Sequence, residues 1–340
     1  MPPEQITASS KYSVKRLMMI AAKLAVTGVL IWYLLSKVDL AKSGEHLASF
    51  DVGWGLLAVL ALASIFLIAS VRWRIYARAL KIPLGKGIAF RIYLISQFLG
   101  QVLPAGIGND AVRVWLLARH GNAVGPSASS VVLERLTGLI GNIVLIAALL
   151  PLTFTYIDDT SIRLVVILVV AICAAGIFAL FGISFLPHLM TKWRSVAMIS
   201  RLADIASEAR RASFMLKPAA TAFLLSLSMH LTAVLAAYLI ALGLDLELSA
   251  EACLALMPIV LLLGTLPISL AGWGVREGAA VTALSYAGVA SSEALTLSIL
   301  FGLSLLTVSL FGAIFWLFQR RSTVLTRVNE KKSGNEAALQ

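Results

Sequence analysis

Charge is scarce in this chain: 13% of its 340 residues are charged, where a soluble domain carries roughly 25%. With 59% hydrophobic residues and a mean hydropathy of +0.92, that scarcity excludes an ordinary soluble domain and indicates an integral membrane protein. Cysteine is nearly absent. Cys173 and Cys253 both sit in apolar runs, which excludes a disulfide framework and any cysteine-based metal spacing. The histidines, His46, His120, His188 and His230, are scattered and form no His-Glu-x-x-His helix, so no metal site is expected. His230 lies inside an apolar segment, where a packed or hydrogen-bonded histidine is commoner than a ligand. No nucleotide-binding motif occurs either. In Gly272-Trp273-Gly274-Val275-Arg276-Glu277-Gly278 the third glycine comes one residue late for a dinucleotide loop, and no strand precedes it. Gly85-Lys86-Gly87 is not a phosphate loop. Neither a cofactor nor a catalytic residue is expected. Acidic residues are few, and the net charge is +11. The cations collect in alternate loops, as the positive-inside rule requires, so the excess reports membrane topology and not nucleic-acid binding.

What is present is apolar length. Crossing the hydrocarbon core takes about 20 apolar residues, and full spans are read at 17–36, 52–71, 127–150, 161–186, 219–242 and 295–318. Residues 1–16 are polar and basic, and Lys11, Lys15 and Arg16 imitate the start of a signal peptide. The apolar run that follows is too long and lacks a small-x-small exit, so it is read as an uncleaved anchor. Arg72, Arg74, Arg78, Lys81, Lys86 and Arg91 have no acidic residue among them and mark a cytoplasmic face, with 72–87 at the interface. Lys192, Arg194, Arg201, Arg210, Arg211 and Lys217 mark another. Asp158-Asp159 and the group Asp245, Glu247 and Glu251 mark the far side. Trp32, Trp54, Trp73, Trp115 and Trp316 are read mostly as interfacial belt residues.

Two places break the apolar pattern in matching ways. Leu103-Pro104-Ala105-Gly106-Ile107-Gly108-Asn109-Asp110-Ala111-Val112-Arg113 returns as Leu266-Pro267-Ile268-Ser269-Leu270-Ala271-Gly272-Trp273-Gly274-Val275-Arg276. Both run Leu-Pro, seven residues with two glycines, then Val-Arg. Pro104 and Pro267 can end one half-helix. Gly106, Gly108, Gly272 and Gly274 permit the turn. The apolar pieces after each motif are too short to cross alone, so re-entrant hairpins are expected near 88–119 and 252–290; if their arms cross fully, the count rises to eight spans and the termini stay inside. Parity then makes them open from opposite faces. The predicted fold class is an all-α polytopic membrane protein of about six full spans and two re-entrant hairpins, eight hydrophobic segments in an inverted-topology repeat. Residues 17–319 form the transmembrane domain, 1–16 a cytoplasmic segment and 320–340 a basic, disordered cytoplasmic tail.

An arginine near the bilayer centre costs about 2.5–3.5 kcal/mol even on the lenient insertion scale. Arg113 and Arg276 therefore head the candidate site. Each has two readings: contact with a substrate headgroup or a proton-linked network, or a structural pair, Arg113 with Asp110 or Glu134 and Arg276 with Glu277 or another hairpin's carboxylate. Asn109 or Asp110 can cap the returning half-helix, whose N-terminal end favours anions. Glu134 and Arg135 lie inside the third span, as cavity organisers or as helix-end anchors. Glu277 is a proton carrier or an ordinary cap. Gln97 and Gln101 share a helical face and either line a cavity or bond between helices.

On these residues the chain resembles the transmembrane part of lysylphosphatidylglycerol synthases, a flippase-like membrane family. The similarity rests on Leu103-Pro104 through Arg113, on Val132-Leu133-Glu134-Arg135-Leu136-Thr137-Gly138, and most on Pro267-Ile268-Ser269 through Arg276-Glu277-Gly278. Asn109 stands where a glycine commonly follows Gly108, and Ala271 where one commonly precedes Gly272. The resemblance implies a multi-pass inner-membrane protein with both termini cytoplasmic, moving a phospholipid or an isoprenoid-derived lipid between leaflets. Residues 320–340 are too few for the aminoacyltransferase domain of the best-known relatives, so synthesis of lysyl-lipid is not expected. A membrane lipid is the expected partner, with a homo-oligomer or lipid-synthesis enzymes as further partners. The alternatives are a membrane-embedded lipid-modifying transferase and a non-catalytic scaffold.

Overall fold

The computed structural model describes residues 49–102, 108–185, 216–266 and 272–337, and every regular element among them is a helix. In chain order these are α1 (Val52–Ala79), α2 (Lys86–Val102), α3 (Gly108–Arg119), α4 (Val124–Tyr156), α5 (Thr160–Phe185), α6 (Leu216–Gly243), α7 (Ala250–Gly264), α8 (Val275–Ser285) and α9 (Ser291–Ala337). Among the described residues, Val52–Ala79, Val124–Tyr156, Lys217–Gly243 and Ser291–Phe318 are long and apolar enough to cross a membrane. They coincide with four of the spans read from the sequence. Within the expected span at 161–186 the described residues form the continuous helix Thr160–Phe185. The one at 17–36, the N-terminal segment and the basic stretch before Lys217 lie outside the described residues.

Lipid, not water, explains the outer surface. Leu56, Leu60 and Leu67 of α1, Leu224, Leu231 and Leu235 of α6, and Leu310, Ile314 and Leu317 of α9 are all exposed. Their three-, four- and seven-residue spacings give each helix an apolar outer stripe. Inside, α1 packs against α6, with Ala58, Ala69, Ala233, Ala236 and Ala237 among the buried residues. Small residues let membrane helices approach closely, where dispersion replaces a missing hydrophobic drive.

Packing repeats. α2 pairs with α3 as α7 pairs with α8; α3 meets α4 as α8 meets α9; and α2 lies on α9 as α7 lies on α4. α1 touches α2, α4 and α9, and α6 touches α7, α9 and α4 in the corresponding way. The ends of the bundle differ in charge. Asp51 N donates to Gly243 O at 2.9 Å, and the Tyr156 hydroxyl meets Ser249 Oγ at 3.4 Å. These bonds gather Asp51, Asp158, Asp159, Asp245 and Glu247 at one end, while Arg78, Lys86 and Arg119 stand in the terminal turns, and Lys81 just beyond, of helix ends at the other.

The sequence reading needs three corrections, the first being that residues 320–337, expected in a disordered tail, continue the helix α9. The reading also ends the second span at residue 71 and lays 72–87 on the interface, but α1 continues to Ala79 with Arg72, Trp73, Tyr76 and Ala77 buried. The inward face persists past the last fully apolar turn because Arg72 has a partner inside. For the same reason Trp73 is fully buried and is no belt residue.

Candidate functional site

Glu134 is the hub of the first polar cluster. Buried on α4, it accepts from Arg72 Nη2 and, at 3.1 Å, from Arg72 Nε; its other oxygen accepts from Arg113 Nη1 at 3.0 Å. Arg72 Nη1 also donates to Ser226 Oγ of α6 at 2.7 Å. The Arg113 guanidinium lies 5.4 Å from the Trp73 ring centre and 5.2 Å from that of Tyr93, so its faces meet π clouds while its edge meets carboxylates. Tyr76 and Thr137 share a hydrogen bond beside it. These contacts tie α1, α3, α4 and α6 together at one point.

The cluster extends toward the first hairpin's turn. Arg113 Nη2 reaches Asp110 Oδ1 at 2.5 Å, and Arg135 Nε reaches Asp110 Oδ2 at 2.9 Å. Arg135 Nη2 donates to Asn109 Oδ1 at 2.8 Å, and Asn109 Nδ2 to Gln97 Oε1 at 2.8 Å. Three arginines thus face two carboxylates, which leaves one positive charge in excess among the described residues. Arg135 is the only one of the three that is open, its side chain 45% exposed. Asn109 and Asp110 stand within the first turn of α3, which begins at Gly108, and their side chains bond to other side chains.

The second hairpin has a smaller cluster. Gly274, at φ +86°, starts α8, and its N–H donates to Glu277 Oε2 at 2.5 Å. Glu277 Oε1 accepts from Arg276 Nη2 at 2.5 Å and from Ser298 Oγ at 3.3 Å. Arg276 stacks 5.0 Å from the Trp273 ring centre. Gly302 of α9 makes room, because a Cβ there would collide with the Arg276 guanidinium. α3 and α8 therefore each carry their own carboxylate, Asp110 or Glu277, in the first turn where the helix dipole favours an anion. Both arginines have carboxylate partners, the structural pairings that the sequence left open. Pro104, Gly106 and Pro267 lie outside the described residues. Gly272 and Gly274 take positive φ, +84° and +86°.

Between the hairpins lies a cavity of about 280 Å³. Tyr93 and Gln97 of α2, Gly264, Thr265, Gly272 and Arg276 of the second hairpin, Asn142 of α4 and His230 of α6 all border it. Arg113 is not among its lining residues, whereas Arg276 is. His230 Nε2 bonds to Gly138 O at 2.9 Å, in keeping with the hydrogen-bonded histidine expected. Gln97 takes both roles left open for it: it lines the cavity and bonds across the hairpin. A second cavity, of about 440 Å³, runs along α5 to Gly274, Val275 and Gly278, and its walls are almost entirely aliphatic. Sequence reasoning missed Arg72, placed with the cytoplasmic cations, and Asn142. The visible signal for Asn142 was a lone amide in an otherwise apolar run. Among the described residues no group of three or more His, Cys, Asp or Glu stands ready to hold a metal ion.

The sequence pattern of the family described as lysylphosphatidylglycerol synthase TM region matches residues 20–312. The chain belongs to this family. The match takes in both hairpins, both ion clusters and the cavity, so all of the polar interior lies within the family's shared region. No curated protein matches the chain significantly.

Proposed function

We propose that this family member moves a lipid, a phospholipid or an isoprenoid-derived one, between the leaflets of a cell's inner membrane. Its headgroup would pass through the polar cavity while its tails stay in the bilayer. The observation that carries this reading is the cavity, where Arg276, Asn142, His230 and Gln97 share one interior space bordered by both hairpins. Polar groups at membrane depth are costly and face substrate paths or each other. The aliphatic cavity reaching Gly274 and Gly278 offers an acyl chain a place beside the same hairpin. The family's name connects its members with a lysylated phospholipid.

In this reading each hairpin returns to the face it entered, and the two enter from opposite faces, giving six full spans and an inverted repeat. The recurring helix pairs and the opposite charges of the bundle ends support it. Both termini then lie in the cytoplasm. Arg276 meets the lipid phosphate. Arg113 and Glu134 hold the first hairpin against α1 and α4, and Arg135, with the surplus charge, attracts an anionic headgroup to the first turn. Glu277 keeps Arg276 in place until the phosphate arrives. The activity is transport without a chemical step, in a protein that pairs with a second copy or with lipid-synthesis enzymes.

Purified protein in liposomes, with headgroup-labelled phospholipids quenched from outside, tests this. Flux above empty liposomes, falling about tenfold or more in Arg276→Ala, is expected from the loss of a charged hydrogen-bonding partner. Folded protein that moves neither phospholipids nor polyprenyl lipids would overturn the reading in favour of an embedded transferase or a scaffold.

A further inference from the structure

We propose that the aliphatic cavity between α5 and α8 is a docking slot for one lipid hydrocarbon chain, taken from the leaflet at the acidic end of the bundle. The proposal deepens the transport reading above and rests on its membrane placement. It adds the leaflet, the direction of the chain and the number of chains.

α5 packs against α4 and leaves the 440 Å³ cavity between itself and α8. Its face across the gap is β-branched. Ile162, Val166, Val169 and Val170 recur at the three-, four- and seven-residue spacings of one helical side. The facing side of α8 is small: Gly274, Gly278 and Thr282 recur every four residues along the lining. A Cβ on Gly278 would meet nothing within 4 Å, so the gap reaches the α8 backbone. Thr282 turns its hydroxyl onto Gly278 O at 3.0 Å and brings no free donor to the slot.

The depth of the slot follows from the path of the chain. α7 starts at the acidic end, where Ser249 meets Tyr156, and finishes at Gly264 beside Gly272. α8 sets out from that deep turn. The slot accordingly runs from Leu263 and Gly274 up to Ile157 and Ile162, which flank Asp158-Asp159. With eleven residues α8 rises about 16 Å, and half of a bilayer's hydrocarbon core is about 15 Å. The slot is one leaflet deep.

Its mouth faces the lipid. Val165, 53% exposed, and Thr282, also exposed, both border the slot. Leu164 and Leu168 beside them are exposed on the same helix. Water finds no polar partners between such walls, and an empty gap forfeits their dispersion contacts. A partner's helix, about 10 Å across, would need about three times the 440 Å³ over the same depth. That volume over that depth gives a mean bore of about 6 Å. Carbon chains in contact lie about 4 Å apart, so two abreast need about 8 Å and one fits. Its headgroup end lies toward Asp158 and its methyl end at Gly274.

The test is photo-crosslinking on the full-length protein in liposomes. The probe is phosphatidylglycerol with a diazirine near either the methyl end or the carbonyl of one chain. Peptide mapping should place the methyl-end probe at 169–170 and 274–279, and the carbonyl-end probe at 162–166 and 282–286. Both should exceed the labelling of the outer stripe of α1, at 56–67, which reports bulk lipid. Gly278→Leu fills the slot where no atom stands in its way and should bring both down to the level of that stripe. Val169→Phe, from the opposite wall, carries the test if Gly278→Leu fails to give monodisperse protein. Slot labelling no stronger than on the α1 stripe overturns the proposal. So does labelling that survives both substitutions, and so do the two probes in reversed order, which would put the chain in the other leaflet. Slot labelling with no flux in liposomes would refute translocation and leave this site standing, whereas flux without slot labelling would do the reverse.

Discussion

Arg113 Nη1 lies 3.0 Å from Glu134 Oε2, and each side chain is only 2% exposed. Glu134 also holds Arg72, so one carboxylate answers two buried guanidinium groups. Removing one partner of a buried pair costs about 3–5 kcal/mol, because the other charge is left uncompensated. Glu134→Ala should therefore cost at least that, seen as a large fall in thermal midpoint and in the yield of monodisperse protein. Replacing the group together is another matter. Arg72→Met, Arg113→Met and Glu134→Met combined leave Asp110 with Arg135, and stability should largely return. A triple variant as unstable as Glu134→Ala would show that hydrogen bonds, not charge balance, hold the four helices.

Arg135 sits one residue away and should behave differently. Its side chain is 45% exposed and shares Asp110 with Arg113, so solvent screening limits it to about 0–1 kcal/mol of stability. Arg135→Ala should keep a near-normal thermal midpoint, while Arg113→Ala loses several degrees. If Arg135 attracts anionic headgroups, its alanine variant loses flux for phosphatidylglycerol more than for neutral lipids. Equal loss for both lipid classes would remove that role.

The second hairpin depends on a close backbone approach. Gly272 has φ +84°, and a Cβ there would stand 2.5 Å from Gly264 O. A left-handed conformation costs an L-residue about 1–2 kcal/mol, and the collision adds to it. Gly272→Ala should thus lower the thermal midpoint and misplace Arg276, whose Cβ lies 3.3 Å from the position a Gly264 Cβ would take. Gly278 is the control. Nothing lies within 4 Å of its missing Cβ, and alanine is the better helix former by about 1 kcal/mol. Gly278→Ala should be neutral or stabilising in the same melt.

The hairpin arms were legible because apolar runs and Leu-Pro breaks are local signals: α3 and α8 lie within the ranges expected, and α2 and α7 each begin two residues earlier. The partners of Arg113 were legible as a choice, since Asp110 and Glu134 were the nearby carboxylates in a chain with few. Arg72 was hidden by its neighbours. It opens a basic run, Arg74 and Arg78 following, and charge alone cannot separate the one arginine that turns inward. Its helical spacing to Tyr76, with Trp73 adjacent, was the only trace. His230 was visible singly and Asn142 was missed, and the two, 88 positions apart in sequence, come to one cavity only where α4 packs on α6. A cavity is a property of packing, and no single run of sequence carries it.

Orientation is the remaining consequence of the charge pattern. The Asp158-Asp159 loop and the Asp245–Glu247 loop share an end with Asp51, while Lys86, the first residue of α2, and Gly121, in the turn after α3, lie at the other. Lysine and arginine are retained on the cytoplasmic side and acidic residues do little to set orientation, so the basic end should face the cytoplasm. Single cysteines at 158, 247, 86 and 121 can be probed in intact cells with a membrane-impermeant maleimide. The background needs only Cys173→Ala, because Cys253 is fully buried. Asp158→Cys and Glu247→Cys should react from outside, and Lys86→Cys and Gly121→Cys only after permeabilisation. The pair 86 and 121 also brackets the first hairpin, so their shared protection is required if α2 and α3 return to the side they entered. Labelling of 121 but not 86 from outside would mean that the hairpin crosses the membrane, and with it the inverted repeat would fall.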